Sequence, residues 1–534
     1  MKIFLKRTFL VGILLVISAS CDSDFAELNT DPNKAGAELF DPNLILPTVI
    51  YNYHDLNTGY SGAILFQSMW VQIMASTSTG GANYYSNADK YVASGSTTTY
   101  QSRLWDLYGG ASRARQMELL SIEKGLPNLA AIGKMLQIMN IATVSDVYGD
   151  VPYSEALMAS DGLTLPAYDL QENLYPQLLA DLQSAVSELS DSADSPTNDI
   201  VYNGDISKWR KFGYSLMLKM AMRLSEVDAS TAQTFVSAAI AGGVFDSSED
   251  DAVVIMDNSN GFANTNANAL NVQDDIYEVR WSNTMIDYLS ATDDPRLSVI
   301  AEVPPAGLEA NKDGSLVGDS DPAIQIGLPN GYDLKGGATD VSNEPNYPGP
   351  TGAGDNIAPI GNYSRPTGMY RNRDASWFIL TYAETQLLLA DAAVQGLGAS
   401  GSAADYYTQG VIGAMETLNK MGGTQISGAA ALAYATANPL DVSSTDASLK
   451  MINEQIWATT GLWGDFIESW NNWKRSAYPE LTPVNYTGNF SGGQIPVRQP
   501  YPTSESSNNT ANYQAAVSAM GGVDDWTTKV WWDN

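Results

Sequence analysis

Apolar residues recur at helical spacing over much of the chain. Between Glu172 and Leu189 they fall at Leu174, Leu178, Leu182, Ala185 and Leu189, steps of three or four that gather them on one helix face. After the turn-rich stretch 192–203, a second pattern runs from Asp205 to about Leu224. Trp209, Phe212, Leu216 and Met220 share its apolar side, and Asp205 stands where it can cap the N-terminus. Ile379, Ala383, Leu387, Ala390 and Val394 form a third stripe. Gly and Ser residues over 396–402 then break the chain before a partner helix expected over 403–420.

Paired helices joined by short Gly, Ser and Pro turns are similar to tetratricopeptide-like hairpins, without a consensus signature or strict period. The fold class expected is all-α, with a helical-hairpin scaffold over about 105–245 and about 375–420. Between these stretches, over about 247–373, Gly, Asn, Pro and Asp replace the periodic apolar residues. Long irregular segments inside a domain usually carry function, so this insert and the Asn/Tyr/Gly-rich 76–100 are expected to form a ligand-binding face.

Composition narrows the chemistry. With 28 Lys and Arg against 60 Asp and Glu the net charge is −32, which excludes a nucleic-acid partner because a polyanion binder needs a basic face. One His (His54) and one Cys (Cys21) rule out His-based zinc sites, disulfides, Ser-His-Asp triads and Cys-His dyads. No cofactor or metal is expected. Glu309, Asn311 and Asp313 before Gly314 share the early spacing of a calcium loop, but Ser320 stands where a bidentate Glu belongs. His54 reads as a hydrogen-bonded packing or surface residue. The 28 Tyr and 12 Trp far outnumber the 12 Phe, an excess of rings with a polar edge that favours wet recognition surfaces.

The first 20 residues have a basic start (Lys2, Lys6, Arg7), a short apolar run and small residues before Cys21, the pattern of a secretory signal. Placement of the only cysteine directly after them resembles a bacterial lipoprotein signal, with Cys21 as the lipidated residue. Residues 21–36, acidic at first and then polar, read as a flexible tether, and 37–534 as the main domain.

One segment is highly specific: Asp146-Val147-Tyr148-Gly149-Asp150-Val151-Pro152-Tyr153-Ser154-Glu155-Ala156 resembles the signature of the SusD/RagB family. Further matches follow in family order: Tyr168-Asp169, Tyr202-Asn203-Gly204-Asp205, Trp209-Arg210-Lys211-Phe212, Asp294-Pro295-Arg296-Leu297, Thr381-Tyr382-Ala383-Glu384, Trp470 to Arg475, Arg498 to Pro502, and Thr528 to Asp533. The resemblance implies a tetratricopeptide-like fold and a surface-exposed, lipid-anchored lipoprotein of the outer membrane. It implies a binding protein rather than an enzyme, one that captures oligosaccharides and delivers them to a partner SusC-like TonB-dependent transporter as its lid. Some branches of the family take peptides. A peptide-binding relative and a carboxylate-based glycosidase remain the alternatives. The signature residues Asp150, Pro152 and Tyr153 read as structural, holding a turn at a helix end.

Sugar recognition needs rings to stack on pyranose C–H faces, and amide, carboxylate or guanidinium groups for the hydroxyls. Three clusters offer that mixture: Asn83, Tyr84 and Tyr85; Tyr277, Arg280 and Trp281; and Tyr370, Arg373 and Trp377. These nine residues are the expected ligand contacts.

Overall fold

The stripes read from the sequence are helices with buried apolar faces. The computed structural model describes residues 40–59, 62–64, 66–78, 88–92, 101–272 and 277–533. Cys21, the leader before it, and Asn83, Tyr84 and Tyr85 lie outside these residues. Numbering the described helices of ten residues or more, α1 is Leu46–Asn57, α2 Leu107–Lys124, α3 Pro127–Tyr148, α4 Gln171–Ser187, α5 Ile206–Met222 and α6 Ala229–Gly242. After the insert come α7 (Tyr382–Gln395), α8 (Ala403–Lys420), α9 (Gly428–Ala437), α10 (Thr445–Trp463), α11 (Phe466–Ser476) and α12 (Thr510–Ala519).

Local chemistry sets these boundaries. Asp205 caps α5, its Oδ1 accepting from the N–H groups of Ser207 at 2.9 Å and Lys208 at 3.2 Å. Pro127 opens α3, where a missing N–H costs nothing. That helix is buried on nearly all sides and runs through the scaffold, in contact with α1, α2, α4 and α5. It packs so closely on α2 that a Cβ at Gly133 would lie 3.0 Å from the carbonyl oxygen of Ala114. On α4, Leu174, Leu178 and Leu182 are completely buried. Truncating any of them to Ala should cost about 2–5 kcal/mol.

Two expectations need correction. Ile379 does not begin the α7 stripe. It lies on a strand, Trp377–Leu380, paired antiparallel with Ala252–Val254. The reason is local: four consecutive bulky residues are all buried, which suits a strand, and Thr381 Oγ1 then accepts the Glu384 N–H at 3.2 Å and starts the helix. The helical scaffold also continues past Lys420, since α10 packs on α7 and α8 and pairs with α11.

The insert is folded rather than loose coil. Short helices and turns alternate with small antiparallel ladders, among them Met74–Ser76 against Val279–Trp281 and Ala301–Glu302 against Arg365–Pro366. It has its own small core, formed with Ala75 by Tyr277, Leu328, Val341, Ala358, Ile360 and Tyr363.

Where α3, α5, α7 and α11 meet, the interior is charged. Arg223 Nη1 donates to Glu468 at 2.9 Å, Lys219 lies 3.0 Å from both Glu384 and Glu468, and Lys474 donates to the Asp146 carbonyl at 2.6 Å. Burial pushes the Glu384 carboxyl up to about 8 and the Lys474 ammonium down to about 7. Asp146, Lys219, Arg223 and Glu468 are among the residues that line a cavity of about 30 Å³. That is room for about one water, so it is a structural junction and not a ligand site. Among the described residues no helix is long and apolar enough to cross a membrane.

Candidate functional site

The signature segment is a staple. Asp150 Oδ1 accepts from the Gln171 N–H at 2.7 Å, Asp169 accepts from the N–H groups of Tyr153 at 2.7 Å and Ser154 at 2.9 Å, and Glu155 accepts from Ala167 at 2.8 Å. These bonds fix the exit of α3 against the entry of α4. No ligand role is left for them.

A more open site forms where the insert meets the segment after α11. Its foundation is a fully buried ion pair, Lys90 Nζ to Asp89 Oδ1 at 2.6 Å. Lys90 also donates to the Ser76 carbonyl at 2.7 Å, while Asp89 Oδ2 accepts from the N–H groups of Ser76 at 3.3 Å and Gly331 at 3.2 Å. The strand Met74–Ser76 is thereby fastened to the turn Pro329-Asn330-Gly331-Tyr332. Asn330 Nδ2 adds a bond to the Met74 carbonyl at 2.9 Å. Gly331 has φ +91°, and a Cβ there would stand 2.7 Å from Val484 Cγ1, so glycine alone permits this approach.

Buried Asp333 closes the next loop, accepting from Thr339 Oγ1 at 2.9 Å, the Lys335 N–H at 3.0 Å and the Tyr486 hydroxyl. Burial works against its charge, but these hydrogen bonds prevail and hold the carboxyl below the usual carboxylate range. On the facing side Gln72, in the left-handed region at φ 53°, donates to the Thr482 carbonyl at 2.6 Å and accepts from Thr284 Oγ1 at 2.8 Å.

Between these pieces lies an open groove of about 480 Å³. Carboxamides of Gln72, Asn283, Asn330 and Asn485, hydroxyls of Thr284, Thr339 and Thr482, the half-buried ring of Tyr332 and the carboxylate of Glu480 line it. Amides and hydroxyls beside one ring suit a polyhydroxylated ligand. Glu480 is the groove's one carboxylate among the described residues, so the paired carboxylates of a glycoside hydrolase are not assembled there. No group of three or more His, Cys, Asp or Glu side chains among the described residues is arranged to hold a metal ion. Glu309 and Asn311 sit on a short helix, Leu308–Lys312, and Asn311 spends its side chain on Arg280 and the Gly307 carbonyl.

Most of the described candidate contacts are interior. Trp281 is fully buried, with Nε1 donating to the Ile300 carbonyl at 2.9 Å and its ring edge-on to Tyr370 at 5.2 Å. Tyr370 is buried with its hydroxyl on the Leu462 carbonyl at 2.7 Å, and Trp377 is buried 4.9 Å from the His54 ring. Arg280 is enclosed and bonds Asn311 Oδ1 at 2.8 Å, and burial and the Arg365 charge lower its pKa to about 9. Tyr277 belongs to the insert's core. Only Arg373 is exposed. Trp281, Tyr370 and Trp377, expected at the binding face, each spend their faces on packing in this conformation. The groove instead uses Tyr332, Gln72, Asn330 and Thr482, which sequence reasoning passed over. Pro329-Asn330-Gly331-Tyr332 carries the same Asn/Gly/Tyr signal that singled out 76–100.

A second concavity of about 190 Å³, between Trp105, Tyr108, Leu157, Leu165 and Glu505, borders a cluster of rings that includes Tyr168 and Tyr501.

A helical scaffold that presents an amide-rich groove on folded loops defines a binding protein of the all-α class. The chain belongs to the SusD-like family, described as starch-binding and associating with the outer membrane, whose profile matches residues 35–502. Its fold is similar to that of a chitin-binding protein, at 28% identity and TM-score 0.76, with 92% of this chain and 100% of that one covered. A Bacteroidetes SusD-like structure superposes at TM-score 0.75 and 23% identity, covering 93% of this chain and 100% of that one. A chitin-binding SusD homolog from Flavobacterium johnsoniae does so at 0.71 and 20%, covering 92% and 98%. These two support the fold alone. No curated protein matches the sequence. Family members are described as binders of carbohydrate or nutrient, and this chain is a binding protein, not an enzyme.

Proposed function

We propose that this protein is a surface lipoprotein, anchored through Cys21, that captures oligosaccharides in the groove beside Tyr332. It then passes them to a TonB-dependent outer-membrane transporter over which it acts as a lid. The groove carries this reading: its polar lining is mainly amide and hydroxyl beside one ring, the groups that recognise sugars. The lipoprotein-like start and the family's association with the outer membrane support the placement. Chitin fragments are the first ligands to try, because the structure 28% identical to this one is named a chitin-binding protein.

The test is electrophoresis of the purified protein in native gels cast with a panel of polysaccharides, with the same mixtures assayed for new reducing ends. Retardation without new reducing ends is expected. New reducing ends would replace the reading with a glycosidase, and silence on every glycan together with peptide binding would move it to the peptide branch. Deleting the transporter should abolish uptake while leaving soluble binding intact.

A further inference from the structure

The groove's lining is uneven in two respects. The first is charge. Glu480, 79% exposed at the side chain, is the one ionised group among its described lining residues, and no lysine or arginine lines it. Its cation partner is shared: Lys450 Nζ stands 4.0 Å from Glu480 and 3.9 Å from Glu454. Tyr478, two residues before Glu480, donates its hydroxyl to Asp446 at 2.7 Å. This lip therefore holds three carboxylates against one ammonium, on a chain of net charge −32.

The second is hydrogen-bonding sense. The donor ends of two lining carboxamides are already engaged, Gln72 Nε2 by the Thr482 carbonyl and Asn330 Nδ2 by the Met74 carbonyl. Asn330 Oδ1 is itself buried and has no partner among the described residues. Among the described lining residues the Glu480 carboxylate is the one group that can only accept. A carboxylate among amides and hydroxyls is matched by ligands that bring O–H, N–H or ammonium donors. A uronate or sulfate brings only more acceptors and a like charge.

We propose that the groove takes neutral and amino-sugar oligosaccharides and turns away those bearing uronate or sulfate, with Glu480 setting the preference. This rests on the glycan-capture reading of the same groove and adds the class of glycan. An N-acetylated unit offers hydroxyl and amide N–H donors to the groove and brings no charge. A deacetylated unit offers an ammonium to Glu480, which retains enough water for the pair to be screened by salt.

The test is calorimetric titration of the purified protein with three hexasaccharides: N-acetylglucosamine, glucosamine at a pH where its amines are protonated, and galacturonate. Each is run at low and at raised salt. The wild-type protein should bind the first two and not the third, and salt should weaken only the glucosamine chain. Glu480→Gln should lower glucosamine affinity about two- to fivefold, the scale of an exposed charge pair, with N-acetylglucosamine affinity within twofold. Glu480→Lys should lower it further and open measurable binding of galacturonate. Glu480 is exposed, so neither variant threatens folding. Galacturonate bound as tightly as the neutral chain, or Glu480→Lys without effect on either charged ligand, overturns the charge rule and leaves glycan capture standing. Failure of all three hexasaccharides overturns both.

Discussion

Asp89 and Gly331, 242 residues apart in sequence, are joined by one hydrogen bond: Asp89 Oδ2 accepts the Gly331 N–H at 3.2 Å. The other oxygen of the same carboxylate holds Lys90, so one buried ion pair sets both the strand Met74–Ser76 and the groove turn. Removing one partner of such a pair is costlier than removing both, because a lone buried charge remains. Asp89→Ala should destabilise the protein by about 3–5 kcal/mol, and the double variant Asp89→Ala/Lys90→Met should regain a substantial part. Urea unfolding of the four proteins in the cycle measures this. A single variant as stable as the wild type would show that the pair contributes nothing.

Tyr332 is the ring of the groove lining, half-buried on the insert's core and half-open. Its loss should remove the stacking face while sparing most of the packing. Tyr332→Ala is expected to weaken oligosaccharide binding about tenfold, the upper range of one ring contact, with a shift of a few degrees in Tm. Titration and a thermal melt on the same preparation separate the two effects. Unchanged affinity would place the sugar elsewhere.

Trp281 and Trp377 should behave in the opposite way. Both are buried, and Trp281 holds the Ile300 carbonyl through Nε1. Trp281→Phe should cost about 1–3 kcal/mol through the lost hydrogen bond and the space it leaves in the core, while saccharide affinity stays within twofold. A large loss of affinity without loss of stability would return this ring to the binding face.

How far the sequence could lead is visible in these residues. The α4 stripe of Leu174, Leu178 and Leu182 could be read because helix packing depends on spacing of three and four, a local property. Asp205 could be read as a cap for the same reason. Ile379 could not be assigned, because its strand partner, Ala252–Val254, is more than a hundred residues away. Ring clusters were visible as composition, but composition does not say which face of a loop turns inward. Trp281 was drawn into the interior by a two-stranded ladder with Met74, and Tyr332 was left at the edge by a turn that Asp89 and Gly331 fix together. Two carboxylates of the signature motif are committed to backbone N–H groups a short way along the chain, Asp150 to Gln171 and Glu155 to Ala167, which is why the motif is local enough to be read from sequence.

The single histidine gives the protein an acid limit that can be isolated. His54 is fully buried against Trp377, and its Nε2 accepts the Thr265 N–H at 3.1 Å, so the neutral ring is the bonded form. Burial lowers its pKa to about 3 from the usual 6.5, against a smaller opposing contribution from a backbone hydrogen bond at Ala263. In the unfolded chain the ring takes up a proton near its ordinary value while the folded protein refuses it. The stabilisation is therefore complete above about pH 6.5 and is lost progressively as the pH falls toward 3. Between pH 7 and pH 4 this one group should remove about 3 kcal/mol, from roughly 1.4 kcal/mol for each unit of pH below the unfolded pKa. His54→Gln keeps an acceptor for Thr265 and does not titrate. Other groups titrate alike in both proteins, so urea unfolding at the two pH values should show the wild type losing about 3 kcal/mol more than the variant. Proton NMR gives a direct check, since the chain has one imidazole. Its resonance should not move between pH 7.5 and 4.5, and a titration centred near 6.5 in the folded protein would overturn the assignment.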